Sequence, residues 1–127
     1  MPETTEYTTK RGFITITYTG RVTIAEVKEA TVKAIAIQQE KQVHRVVIDA
    51  SDMTAAPSIM EMWALVKSYP ELEVPRQTRL AAVRPGVPDK ADVTGFFEVI
   101  CANQCYIAKG FHTRETAEEW VLSDCKA

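Results

Sequence analysis

A chain of 127 residues with 46% hydrophobic and 25% charged side chains has the size and balance of one globular domain with a conventional core, so disordered and membrane-embedded classes are disfavoured. The formal charge is only −2 and the 15 Lys and Arg are scattered, which excludes the clustered basic footprint that a nucleic-acid backbone demands. No apolar run approaches the ~20 residues of a membrane span, and the first residues show neither the basic nor the apolar region of a signal peptide, so a cytoplasmic location is the default expectation.

Tyr7–Lys10 reads as a short strand turning at Arg11 and Gly12 into Phe13–Thr19. In that second run Phe13, Thr15, Thr17 and Thr19 alternate with Ile14, Ile16 and Tyr18. Strands joined so closely pair antiparallel, which places a hairpin at one edge of a sheet; Gly20 ends it. Thr23 and Glu26 have the spacing of a capping box, and Ile24, Val27, Thr31, Ala34 and Ile35 continue at helical spacing towards Gln39. A polar tail then leads through His44, read as structural or solvated, into Val46-Val-Ile48. Three adjacent β-branched residues suit a strand covered on both faces.

Asp49, Ser51, Asp52 and Thr54 are expected to stop that strand in a loop, and Pro57 cannot continue it. Ser58 and Glu61 form a second capping box, opening a helix with Ile59, Met62, Trp63, Val66 and Tyr69 on one face. Prolines bracket the break from Pro70 to Pro75, and Thr78–Val83 is a further apolar strand. Arg84–Pro88 forces a turn, after which Asp89 or Asp92 caps a helix to about Ala102 with Val93, Phe96, Phe97 and Ile100 as its apolar residues. Gly95 weakens that helix. Cys105–Lys109 is the last strand, Gly110–Thr113 turns the chain, and Thr113 caps a final helix with Ala117, Trp120 and Val121 on one face.

The order β-β-α-β-α-β-α-β-α defines one layered α/β domain spanning 1–127, with a mixed sheet edged by the hairpin and four flanking helices. Its expected core comprises Val46, Ile48, Leu80, Ala82, Ile107, Ile24, Val27, Trp63, Val66, Phe97 and Trp120. Cys101, Cys105 and Cys125 lack zinc-site or disulfide-framework spacing, and no metal or other cofactor is called for. Nucleotide-binding glycine motifs, the nucleophile elbow and the H-E-x-x-H helix are all missing, so an enzyme finds no support.

In open α/β sheets ligands bind at the carboxyl ends of strands. That rule makes Asp49, Asp52, Thr54 and Ser58, with Arg84 and His112 from neighbouring strand ends, the candidate polar binding residues. Met53, Met60, Met62, Trp63 and Phe97 are the candidate lining of an apolar pocket or a subunit contact. The surplus of large apolar side chains on the central helix is the basis for expecting a homodimer.

Val46-Val-Ile-Asp-Ala-Ser-Asp52 followed by Ser58, the hairpin before the first helix, and the closing Phe111-His-Thr-Arg-Glu-Thr-Ala-Glu-Glu-Trp-Val121 together resemble the SpoIIAA-like branch of the STAS (sulfate transporter and anti-sigma-factor antagonist) superfamily. The resemblance covers nearly the whole chain. It implies a β-α superhelix and a non-catalytic module that regulates through protein contacts. The alternative it carries is a small CRAL-TRIO-like carrier of a lipid or other apolar ligand. The family's phosphorylated loop reads Asp-Ser-(Ser/Thr)-Gly, whereas this chain has Pro57-Ser58-Ile59-Met60, so the phosphorylation switch is not carried over.

Overall fold

The computed structural model describes residues 3–8, 12–55, 57–85 and 93–123, with the backbone alone at 3–8, 93 and 94. The elements in chain order are β1 (Glu3–Thr8), β2 (Phe13–Arg21), α1 (Ile24–Lys41), β3 (Arg45–Ala55), α2 (Ile59–Lys67), β4 (Arg79–Val83), α3 (Val93–Asn103), β5 (Ile107–Phe111) and α4 (Arg114–Leu122). The strands lie side by side in the same order, β1 to β5.

The sheet is less mixed than the sequence implies. β2, β3, β4 and β5 form a block that is parallel throughout, and no antiparallel hairpin enters it. Each strand of the block is joined to the next through a helix, the connection that parallel neighbours require. Antiparallel pairing is confined to β1, which lies outside β2 from Glu3↔Tyr18 to Thr8↔Phe13. The expectation of a mixed sheet built on a hairpin is corrected accordingly.

The two faces are covered unequally. Ile14, Ile16, Val46, Leu80 and Ala82 share a core with residues of α1, α2 and α3, such as Ala34, Val66 and Ile100. On the other face Phe13, Val47, Ala81 and Val83 pack with Ala117 and Val121 of α4 alone. That single helix is fastened at both ends. Arg79, 9% exposed, donates from Nη1 to the Ser123 carbonyl at 2.6 Å, and its guanidinium lies 4.4 Å from the centre of the Trp120 ring. At the other end Arg114 reaches Asp49. The outer edge of β5 is protected where the backbone N–H of Gly110 donates to the carboxylate of Glu98 on α3.

Several boundaries differ from expectation. β3 runs on to Ala55 because β2 itself continues to Arg21, giving Asp52 and Met53 backbone partners in Thr19 and Gly20. Gly20 tolerates this with a φ of 68° at a shift of register. The expected Asp49–Thr54 loop is therefore strand. At the other edge β5 includes Gly110 and Phe111, paired with Ala82 and Val83. Tyr7–Lys10 becomes Glu3–Thr8, while the caps expected at Asp89 and Asp92 lie outside the described residues. Of the expected core, Ile107 is 47% and Trp63 41% exposed. Ile107 stands on an edge strand beyond the reach of α4, and α2 turns Met62, Leu65 and Val66 inward, which rotates Trp63 out beneath Lys67.

Among the described non-glycine residues three have positive φ: Gln42 and Cys105 close α1 and α3, and Glu73 closes the turn beyond α2. At each, the following N–H reaches back five residues, from Val43 to Gln38, Val74 to Tyr69 and Tyr106 to Cys101. The residue carrying that N–H is buried each time, so a hydrophobic contact completes each closure. Glycine normally fills the left-handed position, and Cys105 is exposed with no packing to lose. Cys105→Gly is therefore expected to raise unfolding free energy by about 0.5–1 kcal/mol, measured by urea denaturation.

Candidate functional site

The polar candidates divide into residues already occupied and residues that stand apart. Asp49 is 7% exposed. Its Oδ1 accepts from the Ser51 N–H at 3.0 Å and the Ser51 hydroxyl at 2.6 Å, and its Oδ2 lies 3.6 Å from Nη1 of Arg114. Both oxygens thus fix the end of β3 to the start of α4. Arg114 was not among the residues singled out from the sequence, although one signal was available: a cation in the first turn of a helix opposes the macrodipole and calls for a carboxylate nearby. It has two, since its Nε also meets Oε2 of Glu118 at 2.9 Å.

Ser58 is explained by capping. Its hydroxyl accepts from the Glu61 N–H at 3.2 Å, and Oε1 of Glu61 accepts from the Ser58 N–H at 2.9 Å. The carboxylate of Glu61 already occupies the positive end of α2, so an external anion would compete with a built-in one. Asp52, Thr54 and His112 are exposed on β3 and beyond β5, and Arg84 uses its backbone N–H on the Phe111 carbonyl at 2.8 Å. None of the six polar candidates lines the cavity that the structure does contain.

That cavity, about 80 Å³, lies between the helix-covered face of the sheet and α1, α2 and α3. Its volume is several times the roughly 10–15 Å³ that a single water needs. Ala50 and Ala82 form its floor, Val27, Met62 and Phe97 its helical walls, and Pro57 and Pro85 belong to segments following β3 and β4. It therefore sits at the carboxyl ends of parallel strands, where open sheets bind ligands. Of the apolar candidates, Met53, Met62 and Phe97 line it, whereas Met60 (70% exposed) and Trp63 stand outside on α2.

A second cavity of about 30 Å³ shares Ile16, Thr31, Ile48 and Tyr69 with the first. Its lining includes the buried pair Gln38 and Thr78, with Gln38 Nε2 donating to Thr78 Oγ1 at 2.9 Å. The polar groups around both voids are neutral. Thr31 donates its hydroxyl to the Val27 carbonyl at 2.8 Å. The Tyr69 phenol is held well above its ordinary pKa, first by burial and then by Cys101, Tyr18 and Tyr106 beside it. Burial pushes the Cys101 thiol up to about 12, which makes it an inert core group. Tyr69, Tyr18 and Pro57 were missed as pocket residues, because a tyrosine at helical spacing reads as core.

Among the described residues no group of three or more His, Cys, Asp and Glu is placed to hold a metal ion, and no helix is long and apolar enough to cross a membrane.

A parallel β-α domain with this layering has a SpoIIAA-like fold, in line with the resemblance noted in the sequence. A solved structure that matches it is an uncharacterized protein of the DUF3478 family with a SpoIIAA-like fold, from Shewanella loihica PV-4. The match has a TM-score of 0.58 at 14% identity and covers 94% of this chain and 91% of that one. No family model and no curated protein matches the chain.

If capping accounts for Ser58, Ser58→Ala should cost about 1 kcal/mol of stability, and Ser58→Asp, which caps as well, should stay within about 0.5 kcal/mol of wild type. Urea unfolding of the three proteins measures both.

Proposed function

We propose that this protein is a non-catalytic module that binds a small, largely apolar molecule between its sheet and α1–α3. The observation that carries this reading is the cavity of about 80 Å³ at the strand ends. Among the described residues its lining includes no Asp, Glu, Lys, Arg or His, which supports burial of a ligand rather than acid-base chemistry. Apolar cavities that stay dry take up apolar molecules, because each buried methylene is worth about 0.8 kcal/mol. The carrier alternative implied by the STAS resemblance fits this better than a switch centred on Ser58, whose hydroxyl and neighbouring N–H groups are already engaged.

The test is thermal unfolding in buffer equilibrated with cyclohexane. Wild type should melt about 2–5 °C higher, as ligand linkage requires for a domain of this size. Ala50→Leu, which fills the floor of the cavity, should not respond. Equal shifts in both proteins, or none in wild type, would contradict the proposal.

A second reading, association with another copy of the chain, is favoured by the exposure of Met60 (70%) and Trp63 (41%) on the outer face of α2. An apolar patch of this kind is a common mark of subunit contact. Light scattering at micromolar concentration should then report a dimer for wild type and a monomer for Trp63→Glu, with a monomeric wild type counting against it.

A further inference from the structure

Tyr69 is 5% exposed and lines both cavities. Its backbone is engaged, with the N–H donating to Val66 and the carbonyl accepting from Val74. Its ring meets that of Tyr106 edge-on at 5.6 Å between centroids. Among the described residues no hydrogen bond to its hydroxyl is seen, in contrast to that of Tyr106, which donates to the Val74 carbonyl at 3.0 Å. Phenylalanine would fill the same space without offering a donor to the cavity.

We propose that the Tyr69 hydroxyl is the anchoring donor of the binding site, and that the ligand is an uncharged apolar molecule carrying one hydrogen-bond acceptor, a carbonyl or ether oxygen. The proposal rests on the cavity's being a binding site and adds the chemical class of its ligand. An acceptor is specified because Thr31, the hydroxyl that shares both cavities with Tyr69, already spends its proton on Val27. A carboxylate is disfavoured because the lining, among the described residues, holds no cation to balance a buried charge. The rest of the molecule is apolar because the wall is, from Ile16 and Ile48 to Met62 and Phe97.

The experiment compares two probes of the same shape, 2-heptanone and 2-methyl-1-heptene, titrated into ¹⁵N-labelled protein and followed by amide shifts. Wild type should bind both. Tyr69→Phe should bind the ketone about 5- to 10-fold more weakly, the loss of one hydrogen bond, and the alkene unchanged. Without ligand the variant should melt no lower than wild type, since no bond is removed. A readout on wild type alone guards against a disturbed fold: the Tyr69 ¹³Cζ resonance should move with the ketone and not with the alkene. Equal affinity of the two proteins for the ketone, or equal weakening for both probes, overturns the role of Tyr69 while leaving the pocket standing. If neither probe binds wild type, the pocket reading itself fails, and this proposal with it.

Discussion

Parallel pairing in strict chain order is the constraint on which the rest of the structure depends. When each strand lies next to its predecessor and crossovers share one hand, the connecting helices must all fall on the same face. Here α1, α2 and α3 crowd one side of β2–β5, and the opposite side is left to whatever follows the last strand. The binding face and the supporting face are consequences of that asymmetry. On the crowded face, helices of fixed diameter span a sheet whose floor side chains differ in length. Ala50 and Ala82, the short side chains of this face, lie under the larger void, and Ile16, Val46 and Leu80 border the smaller one.

The supporting face shows what one short helix needs in order to cover a sheet. α4 contributes only two fully buried side chains, Ala117 and Val121. Its ends are held by charge instead: Asp49 draws in Arg114 at the start, and Arg79 reaches Ser123 and stacks on Trp120 at the finish. Both Asp49 and Arg79 are buried strand residues, so each ion is largely desolvated and its contacts to α4 favour a single seating of the helix. The carboxylate expected to bind a ligand is thus part of the scaffold.

Helix starts were legible and helix stops were not. Thr23, Ser58 and Thr113 each cap a helix through a hydroxyl that accepts a backbone N–H, and a capping residue is a local signal that survives in one sequence. The left-handed closures fall on Gln42 after α1, Cys105 after α3 and Glu73 in the turn beyond α2, none of which announces that conformation; burial of Val43, Val74 and Tyr106 goes with it. The phase of α2 was also hidden. With Ile59, Met60, Met62, Trp63, Leu65 and Val66 in nine residues, apolar side chains surround the helix, so spacing cannot say that Leu65 faces in and Trp63 out. The same blindness touched the site. Polar residues at strand ends attract attention because chemistry favours them, yet Asp49, Ser51 and Ser58 satisfy one another's neighbours. The cavity is made by what is missing above two alanines, and absence of volume has no motif.

Why Tyr69 should stay in that cavity unpaired follows from its surroundings. It begins the turn after α2, in which Val74 returns an N–H to its carbonyl, while Tyr106, the residue closing α3, packs against its ring and bonds the Val74 carbonyl. Two of the three left-handed closures therefore converge on one aromatic side chain and fix its backbone and ring together. Rotation towards solvent would have to break the edge contact with Tyr106. A ring so held keeps its hydroxyl in one place before any ligand arrives. Preorganisation of that kind moves the cost from binding to folding, so a partner that supplies the missing acceptor gains nearly the full worth of the bond. The strain-free alternative, phenylalanine, would leave the packing intact and remove only that advantage.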